Sequence, residues 1–217
     1  MAHTLQQSHY NMIEQQVRPS NVLDARVLAA LSAIPRVNFV SDEFSLLAYA
    51  DTELPIGYNQ TMLSPVVEGR LLQAVDVQAD EQVLEIGTGT GYFTALLAHL
   101  AEHVISVELI PELAAQAKEN LAGADNVELF IGDASQAWPL ANRIDVIIAT
   151  AAFKAVPEDY KNSLKIGGRM LCVEGLAPAM SVQIIKRIAE REWQTETVFE
   201  TVIPALINAE PRPEFEF

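Results

Sequence analysis

The sequence predicts an α/β fold: a mostly parallel seven-stranded sheet with helices on both faces, preceded by N-terminal helices and closed by an antiparallel C-terminal hairpin. Three observations predict it. Short apolar runs near 82–86, 103–108, 127–131, 144–149 and 169–174 alternate with helix-like patterns, as strands joined by crossover helices do. Ile144-Asp145-Val146-Ile147-Ile148-Ala149 is nearly continuous in apolar character, as a strand covered on both faces requires. The glycine-rich stretch Gly87-Thr88-Gly89-Thr90-Gly91 separates the first run from the apolar-periodic segment Phe93 to Leu100, which reads as strand, turn, helix.

Taken in order, Leu5 to Val17 carries helical spacing that breaks at Arg18-Pro19. Ser20 or Asn21 is placed to cap a second helix with Leu23, Val27, Leu28 and Leu31 on one face, ending at Pro35. Asn38 to Asn59 is mixed and turn-rich, punctuated by Pro55 and Gly57, and Val66 to Val75 is a helix leading into the first strand. Gly167-Gly168 reads as the turn before the fifth strand. Beyond Pro178, Val182 to Ile188 and Thr195 to Val202 have no crossover helix between them and read as antiparallel edge strands joined around Glu190 to Trp193. The tail after Ala209, with Pro211 and Pro213, is expected to be loose.

Composition excludes several classes of function. The 217 residues carry 14 Lys and Arg against 29 Asp and Glu, a formal net charge of -15, with no basic cluster. Binding to nucleic acid or to an anionic membrane surface needs a basic footprint, so neither is expected. No uncharged apolar stretch approaches the ~20 residues that cross a bilayer. Met1 to Gln16 is polar and lacks the apolar core of a signal peptide. The single cysteine, Cys172, sits in an apolar run and reads as a buried small hydrophobe; with no intramolecular disulfide possible, a reducing cytoplasm is the expected location.

The glycine stretch carries the chemistry. A dinucleotide site needs G-x-G-x-x-G, and counting from Gly87 and Gly89 the third glycine falls on Tyr92. The spacing is instead G-x-G-x-G, with Glu85 two residues ahead, where a carboxylate suits an ammonium group and repels a diphosphate. That pattern resembles motif I of class I S-adenosylmethionine-dependent methyltransferases, so Glu85, Gly87, Thr88, Gly89 and Gly91 are candidates to hold the methionine portion of that cofactor. Val104 to Val107 ends at Glu108, about 20 residues beyond the loop, where an acid accepts hydrogen bonds from both ribose hydroxyls. Asp133, after Val127 to Ile131, is positioned to accept the exocyclic amine of adenine. Leu109 and Ala134, beside these acids, complete the cofactor set with Thr61 and Met62. Three acids at three successive strand ends converge on one rim of a parallel sheet, where open α/β folds bind ligands.

Pro35-Arg36-Val37-Asn38-Phe39-Val40, Ala48-Tyr49-Ala50-Asp51 and Leu54-Pro55-Ile56-Gly57-Tyr58-Asn59-Gln60-Thr61 are similar to the N-terminal part of protein-L-isoaspartate O-methyltransferases. The resemblance continues through the glycine motif, Gly132-Asp133-Ala134 and Leu164 to Arg169, and covers roughly residues 10 to 205. It implies a Rossmann-like class I methyltransferase fold and one domain over 1–217. Residues 1–78 would form a helical and substrate-lip extension, and 79–209 the cofactor-binding core with the C-terminal strands. It further implies methyl transfer from S-adenosylmethionine to an isoaspartyl carboxylate of a damaged protein or peptide. The family pattern Gly-Gln-Thr-Ile-Ser-x-Pro places a serine near the transferred methyl. Here the segment is Asn59-Gln60-Thr61-Met62-Leu63-Ser64-Pro65, so Leu63 stands at the serine position and Ser64, the candidate catalytic hydroxyl, comes one residue late. Neighbouring side chains of an extended backbone point to opposite sides, so Ser64 substitutes only if the loop bulges or shifts.

A carboxylate acceptor with a pKa of ~4 is ionised at pH 7 and needs no general base. The enzyme's part is then orientation and desolvation, and loss of one positioning hydrogen bond costs about 10²–10³ in rate. A phenol or amine acceptor needs a base, and none of His3, His9, His99 and His103 falls in a segment expected to line the site. No oxygen-ligand set for a metal is completed around Asp133 and Asp145. Trp138 and Trp193 read as packing residues. Two alternatives remain beside carboxyl methylation: a small-molecule acceptor selected through Leu63, and a cofactor-binding protein without isoaspartyl activity. No oligomeric state is specified.

Overall fold

The computed structural model describes residues 2–209, and its N-terminal part is helical. α1 (Ala2–Asn11) continues into wider π-type turns over Met12–Val17 and one tight turn at Arg18–Ser20. The second helix is capped later than the sequence suggests. Asn21 takes a left-handed φ of 66° that ends the preceding turn, and Asp24 accepts the N–H groups of Arg26 (2.8 Å) and Val27 (3.1 Å). α2 therefore covers Ala25–Ala33. Leu23 lies outside it and is 67% exposed, whereas Val27, Leu28 and Leu31 are buried.

The turn-rich segment resolves into tight helical turns at Arg36–Phe39 and Asp42–Leu47, followed by a small hairpin of β1 (Leu54–Gly57) and β2 (Gln60–Met62). Tyr58 and Asn59 both take positive φ (54° and 56°), the backbone twist a two-residue hairpin turn demands. α3 (Pro65–Val75) starts with proline at its first position, where the missing N–H is harmless.

The main sheet then builds in the expected alternation: β3 (Gln82–Ile86), α4 (Tyr92–Leu100), β4 (His103–Glu108), α5 (Pro111–Asn120), β5 (Val127–Ile131), β6 (Ile144–Phe153), α6 (Glu158–Ser163), β7 (Leu164–Leu176), β8 (Ala179–Ala189) and β9 (Glu192–Glu200). The spatial order is β5-β4-β3-β6-β7-β8-β9, parallel through β7 and antiparallel thereafter. The chain winds outward from β3 to β5, then crosses back to place β6 on the other side of β3. That reversal opens a crevice at the C-terminal ends of β3 and β6. One apolar cluster packs the N-terminal helices, α3 and α4 on one face; a second, with Phe153, Tyr160 and Cys172, fills the other.

Two expectations need correction. Gly167-Gly168 lies inside β7 as a bulge: Leu164 pairs with Ile144, and the register resumes at Arg169 with Val146. A Cβ on Gly168 would come within 2.8 Å of the Asp145 carbonyl, which is why no side chain fits there. β8 is an interior strand, and of the two antiparallel strands only β9 forms the edge. After β9 the chain turns back over the sheet. Ala152 N–H donates to Pro204 O and Leu206 N–H to Ala152 O, both at 2.8 Å. The tail after Ala209 lies outside the described residues. Among the described residues, no helix is long and apolar enough to cross a membrane.

Candidate functional site

The crevice at the sheet reversal holds a cavity with an empty volume of about 900 Å³, part of it open to solvent. Its floor is the glycine loop after β3. Gly87, Gly89 and Gly91 all take positive φ (96°, 56° and 89°). The Thr150 hydroxyl donates to the Gly87 carbonyl at 2.6 Å, and a Cβ on Gly87 would meet that same oxygen at 2.6 Å. Only glycine combines this φ with this approach.

Glu108, at the end of β4, clamps the loop. Its Oε2 accepts from Gly89 N–H (2.8 Å) and its Oε1 from Ile110 N–H (2.9 Å). Burial raises its pKa above the ordinary carboxylate value, against the backbone N–H bonds that lower it. The N–H groups of Leu109 and Thr88 also act on this carboxylate, and Glu108 still lines the cavity. Asp133 lines the opposite wall, with Oδ1 accepting from Ser135 N–H (2.9 Å) and Oδ2 from the Asn208 amide (3.0 Å). Burial opposes its charge, but the Ser135 and Asn208 bonds outweigh it and leave the carboxyl below its ordinary pKa.

Most of the candidates converge. Thr61, Met62, Gly87, Thr88, Gly89, Glu108, Leu109, Asp133 and Ala134 all line the cavity. Three do not. Gly91 sits at the N-cap of α4, where a Cβ would press against Leu121 at 3.0 Å, so it serves helix packing. Ser64 occupies the N-cap position of α3 outside the wall, with no side-chain capping bond, while Leu63 faces the cavity and is 5% exposed. The wall takes four consecutive residues, Gln60 to Leu63, and ends before Ser64.

Glu85 is the third. Its side chain is fully buried behind the loop, with Oε2 accepting from Thr94 Oγ1 and Ser106 Oγ, both at 2.5 Å. Ser106 in turn bonds Thr88 Oγ1 at 2.6 Å, linking the acid to the loop. Among the described residues Oε1 is left without a partner, as is Thr90 Oγ1. Burial pushes the Glu85 carboxyl up to about 8, with the Ser106 and Thr94 hydroxyls only partly offsetting it. A folded-state pKa above the unfolded value of 4.5 contributes stability that is complete below about pH 4.5 and lost as pH rises through about 8. The ligand-free melting temperature is therefore expected to fall between pH 5 and pH 8, with a linked loss on the order of a few kcal/mol. Glu85→Gln, which keeps the shape without the charge, flattens that slope. An unchanged slope in the variant places the effect elsewhere.

Three contributors were not legible as site residues. Pro204, Leu206 and Ile207 line the cavity from the returning C-terminal segment. Glu68 lines it from the first turn of α3, with its carboxylate paired to the buried Arg36. Tyr92 lines it too, with its hydroxyl buried and without a partner among the described residues, and the Arg36 guanidinium lies 5.2 Å from its ring centroid. Arg36 and Tyr92 belong to motifs that drew attention for other reasons. Glu68 carries no sequence signal beyond an acid in a first helical turn, which is ordinarily a surface residue.

Comparison with known proteins follows this geometry. The family model described as Protein-L-isoaspartate(D-aspartate) O-methyltransferase (PCMT) matches residues 7–208. A protein-L-isoaspartate O-methyltransferase of Methanoculleus marisnigri is 39% identical over 189 residues, covering 86% of this chain and 84% of its own length. One from Myxococcus xanthus is 44% identical over 169 residues, covering 77% and 79%. In fold, the chain is similar to a Plasmodium falciparum protein described as a protein-L-isoaspartate O-methyltransferase, solved in complex with S-adenosyl-L-homocysteine. The TM-score is 0.80 at 17% identity, over 91% of this chain and 97% of that one.

Proposed function

The chain belongs to the protein-L-isoaspartate O-methyltransferase family, and from that premise we propose that it transfers a methyl group from S-adenosylmethionine to the carboxylate of an isoaspartyl residue in a damaged protein. One observation carries the reading: Glu108 clamps the glycine loop at the sheet reversal and lines the cavity there. Vicinal ribose hydroxyls suit that carboxylate.

The residues present fit the cofactor. Gly87 and Gly89 let the ligand approach the backbone, and a Cβ there would meet Thr150 Oγ1 at 2.6 Å and Ile56 Cδ1 at 3.2 Å. Asp133 offers acceptor oxygens to an adenine amine, beside the apolar Leu109 and Ala134. Glu85 and Thr90 each hold a buried polar atom without a partner among the described residues, next to the loop that would carry the methionine portion. On this reading Glu85 acts from behind the loop, through Ser106 and Thr88, and Gly91 through the placement of α4. Thr61 and Met62 close the cavity from the lip.

The cofactor supplies an electrophilic methyl on a sulfonium sulfur. The chain's own task is to hold the acceptor carboxylate in line with it and to exclude water, since that carboxylate is already ionised at neutral pH. The apolar Leu63 side chain supports water exclusion over the lip. A hydroxyl from Ser64 reaches the acceptor only after a shift of the lip. The buried single cysteine and the acidic surface suit a cytoplasmic protein that works on other proteins, with residues 1–78 as the lip-bearing extension and 79–209 as the cofactor core.

The test is a pair of peptides, one with an isoaspartyl residue and one with the normal aspartyl linkage, incubated with methyl-labelled cofactor. Base-labile label is expected in the isoaspartyl peptide alone. No turnover above background, in protein that binds S-adenosylhomocysteine, overturns the reading. One observation favours a second reading, a different small-molecule acceptor: the wall position expected to carry a hydroxyl carries Leu63. Label in a metabolite fraction with none in either peptide establishes that reading instead.

A further inference from the structure

The lip offers an acceptor very few polar side-chain atoms. Thr61 Oγ1 donates to Glu53 at 3.1 Å, and the Gln60 amide donates to the carbonyls of Tyr58 and Asn59. Met62 and Leu63 are apolar, and Ser64 lies outside the wall. Among the described residues no Lys, Arg or His side chain lines the cavity, so an acceptor carboxylate meets no cation in the wall itself.

Glu68 is the ionisable group that remains on the lip side. It is 1% exposed and lines the cavity from α3. Its Oε2 accepts from one nitrogen of Arg36, and the other terminal nitrogen of the same guanidinium donates to the Leu63 carbonyl. Arg36 thus ties Glu68 to the residue whose side chain lacks a hydroxyl. Glu68 Oε1 makes no hydrogen bond among the described residues, and the residue itself lines the cavity.

We propose that Glu68 enters the acceptor complex as a neutral carboxylic acid and donates from Oε1 to the acceptor carboxylate, supplying the hydrogen bond that Leu63 cannot. This rests on the carboxyl-methylation reading above. An ionised Glu68 would repel an anionic acceptor, and two carboxylates that share a site resolve the conflict by binding one proton between them. Arg36 then balances the acceptor's charge through the bridging acid.

The groups facing Glu68 are Arg36, from the tight turn after α2; Asp51, from the segment before β1; and Tyr92, from α4. Burial pushes Glu68 up to about 7, against the charge and hydrogen bond of Arg36 and with the help of Asp51. Tyr92 is itself pushed upward by burial and stays neutral. Protonating Glu68 near neutral pH therefore costs little. In the transfer step an acceptor oxygen bonds the methyl carbon, the carbon–sulfur bond breaks with its electron pair going to sulfur, and the Glu68 proton stays on Glu68.

The test measures methylation of the isoaspartyl peptide from pH 6 to pH 8 by the wild type and Glu68→Gln. A second measurement titrates the peptide calorimetrically into each protein saturated with S-adenosylhomocysteine, in two buffers of different ionisation heat. At subsaturating peptide the wild-type rate is expected to fall about tenfold across that range, as the protonated fraction of a free-enzyme group titrating near 7 does. Binding at pH 8 is expected to take up close to one proton. Glutamine keeps both a donor for the acceptor and an acceptor for Arg36. Glu68→Gln should therefore stay within about threefold of the pH 6 wild-type rate, with a flat profile and no proton uptake. Turnover by the wild type with a flat profile and no proton uptake overturns this proposal alone. So does a folded, cofactor-binding Glu68→Gln that loses activity. If Glu68→Gln fails to fold, wild-type proton uptake decides. Absence of both peptide binding and turnover in cofactor-binding wild type overturns the carboxyl-methylation reading, and this proposal with it.

Discussion

Glu108→Ala weakens S-adenosylhomocysteine binding by about 10²–10³-fold, read by calorimetry. The magnitude follows from the two hydrogen bonds that vicinal ribose hydroxyls would donate to Glu108. Each hydrogen bond to a charged group is worth roughly 1.5–3 kcal/mol, and two of them amount to about 3–4 kcal/mol after partial replacement by water. The loop suffers as well, because the N–H groups of Gly89 and Ile110 lose the oxygens they now donate to. Glu108→Gln keeps the shape and one acceptor, and is expected to lose only about tenfold. A dissociation constant within threefold of wild type for the alanine variant removes Glu108 from the cofactor contact.

Arg36→Ala has the largest effect on stability. Arg36 is fully buried, its partner Glu68 is 1% exposed, and the guanidinium also holds the Leu63 carbonyl and packs on the Tyr92 ring. Breaking a buried pair from one side leaves an uncompensated charge and costs about 3–5 kcal/mol. Glu68 escapes part of that cost by taking up a proton. Without Arg36 its folded pKa rises beyond about 7, further above the unfolded 4.5, so the stability it contributes is complete only below about pH 4.5 and drains away as pH increases. Urea unfolding is expected to show a larger deficit for Arg36→Ala at pH 8 than at pH 6. Arg36→Lys does not restore it, because an ammonium lacks the planar fork that reaches Glu68 and Leu63 together. Arg36→Ala with Glu68→Leu recovers much of the loss, since removing both partners leaves no buried charge. Equal deficits at the two pH values contradict this account of the pair.

The parallel core was legible because its signals are local. The alternation from β3 to β7, the interior β6 and the helix after the glycine loop each follow from a pattern shorter than fifteen residues. The misplaced features depend on partners far along the chain. Asp24 caps α2 partly because Gln73, about fifty residues away, takes the N–H groups of Leu23 and Asp24. Gly167-Gly168 became a bulge through the register that Ile144 and Val146 impose. The return of Pro204 to Ile207 over the cavity depends on Ala152 in β6.

The site divides in the same way. Gly87, Gly89, Glu108 and Asp133 sit at the ends of strands, and strand ends at a sheet reversal face the ligand wherever the fold occurs. Glu85 carried an equally clear sequence signal, yet its side chain turns away from the cavity toward Thr94 and Ser106. Spacing identifies a motif; it does not say on which side of the loop each side chain falls. Glu68 was invisible for a related reason. In sequence it is an acid in a first helical turn, and only the fold surrounds it with Arg36, Tyr92 and the lip.

The most direct measurement is a crystal structure with S-adenosylhomocysteine and an isoaspartyl peptide bound together. The expected result has Glu108 on the ribose hydroxyls, Asp133 on the adenine amine, the Leu63 side chain over the sulfur, and Glu68 Oε1 within hydrogen-bond distance of the acceptor carboxylate. A structure in which the lip shifts so that Ser64 Oγ holds the acceptor, or in which the peptide carboxylate lies away from the sulfur, contradicts it.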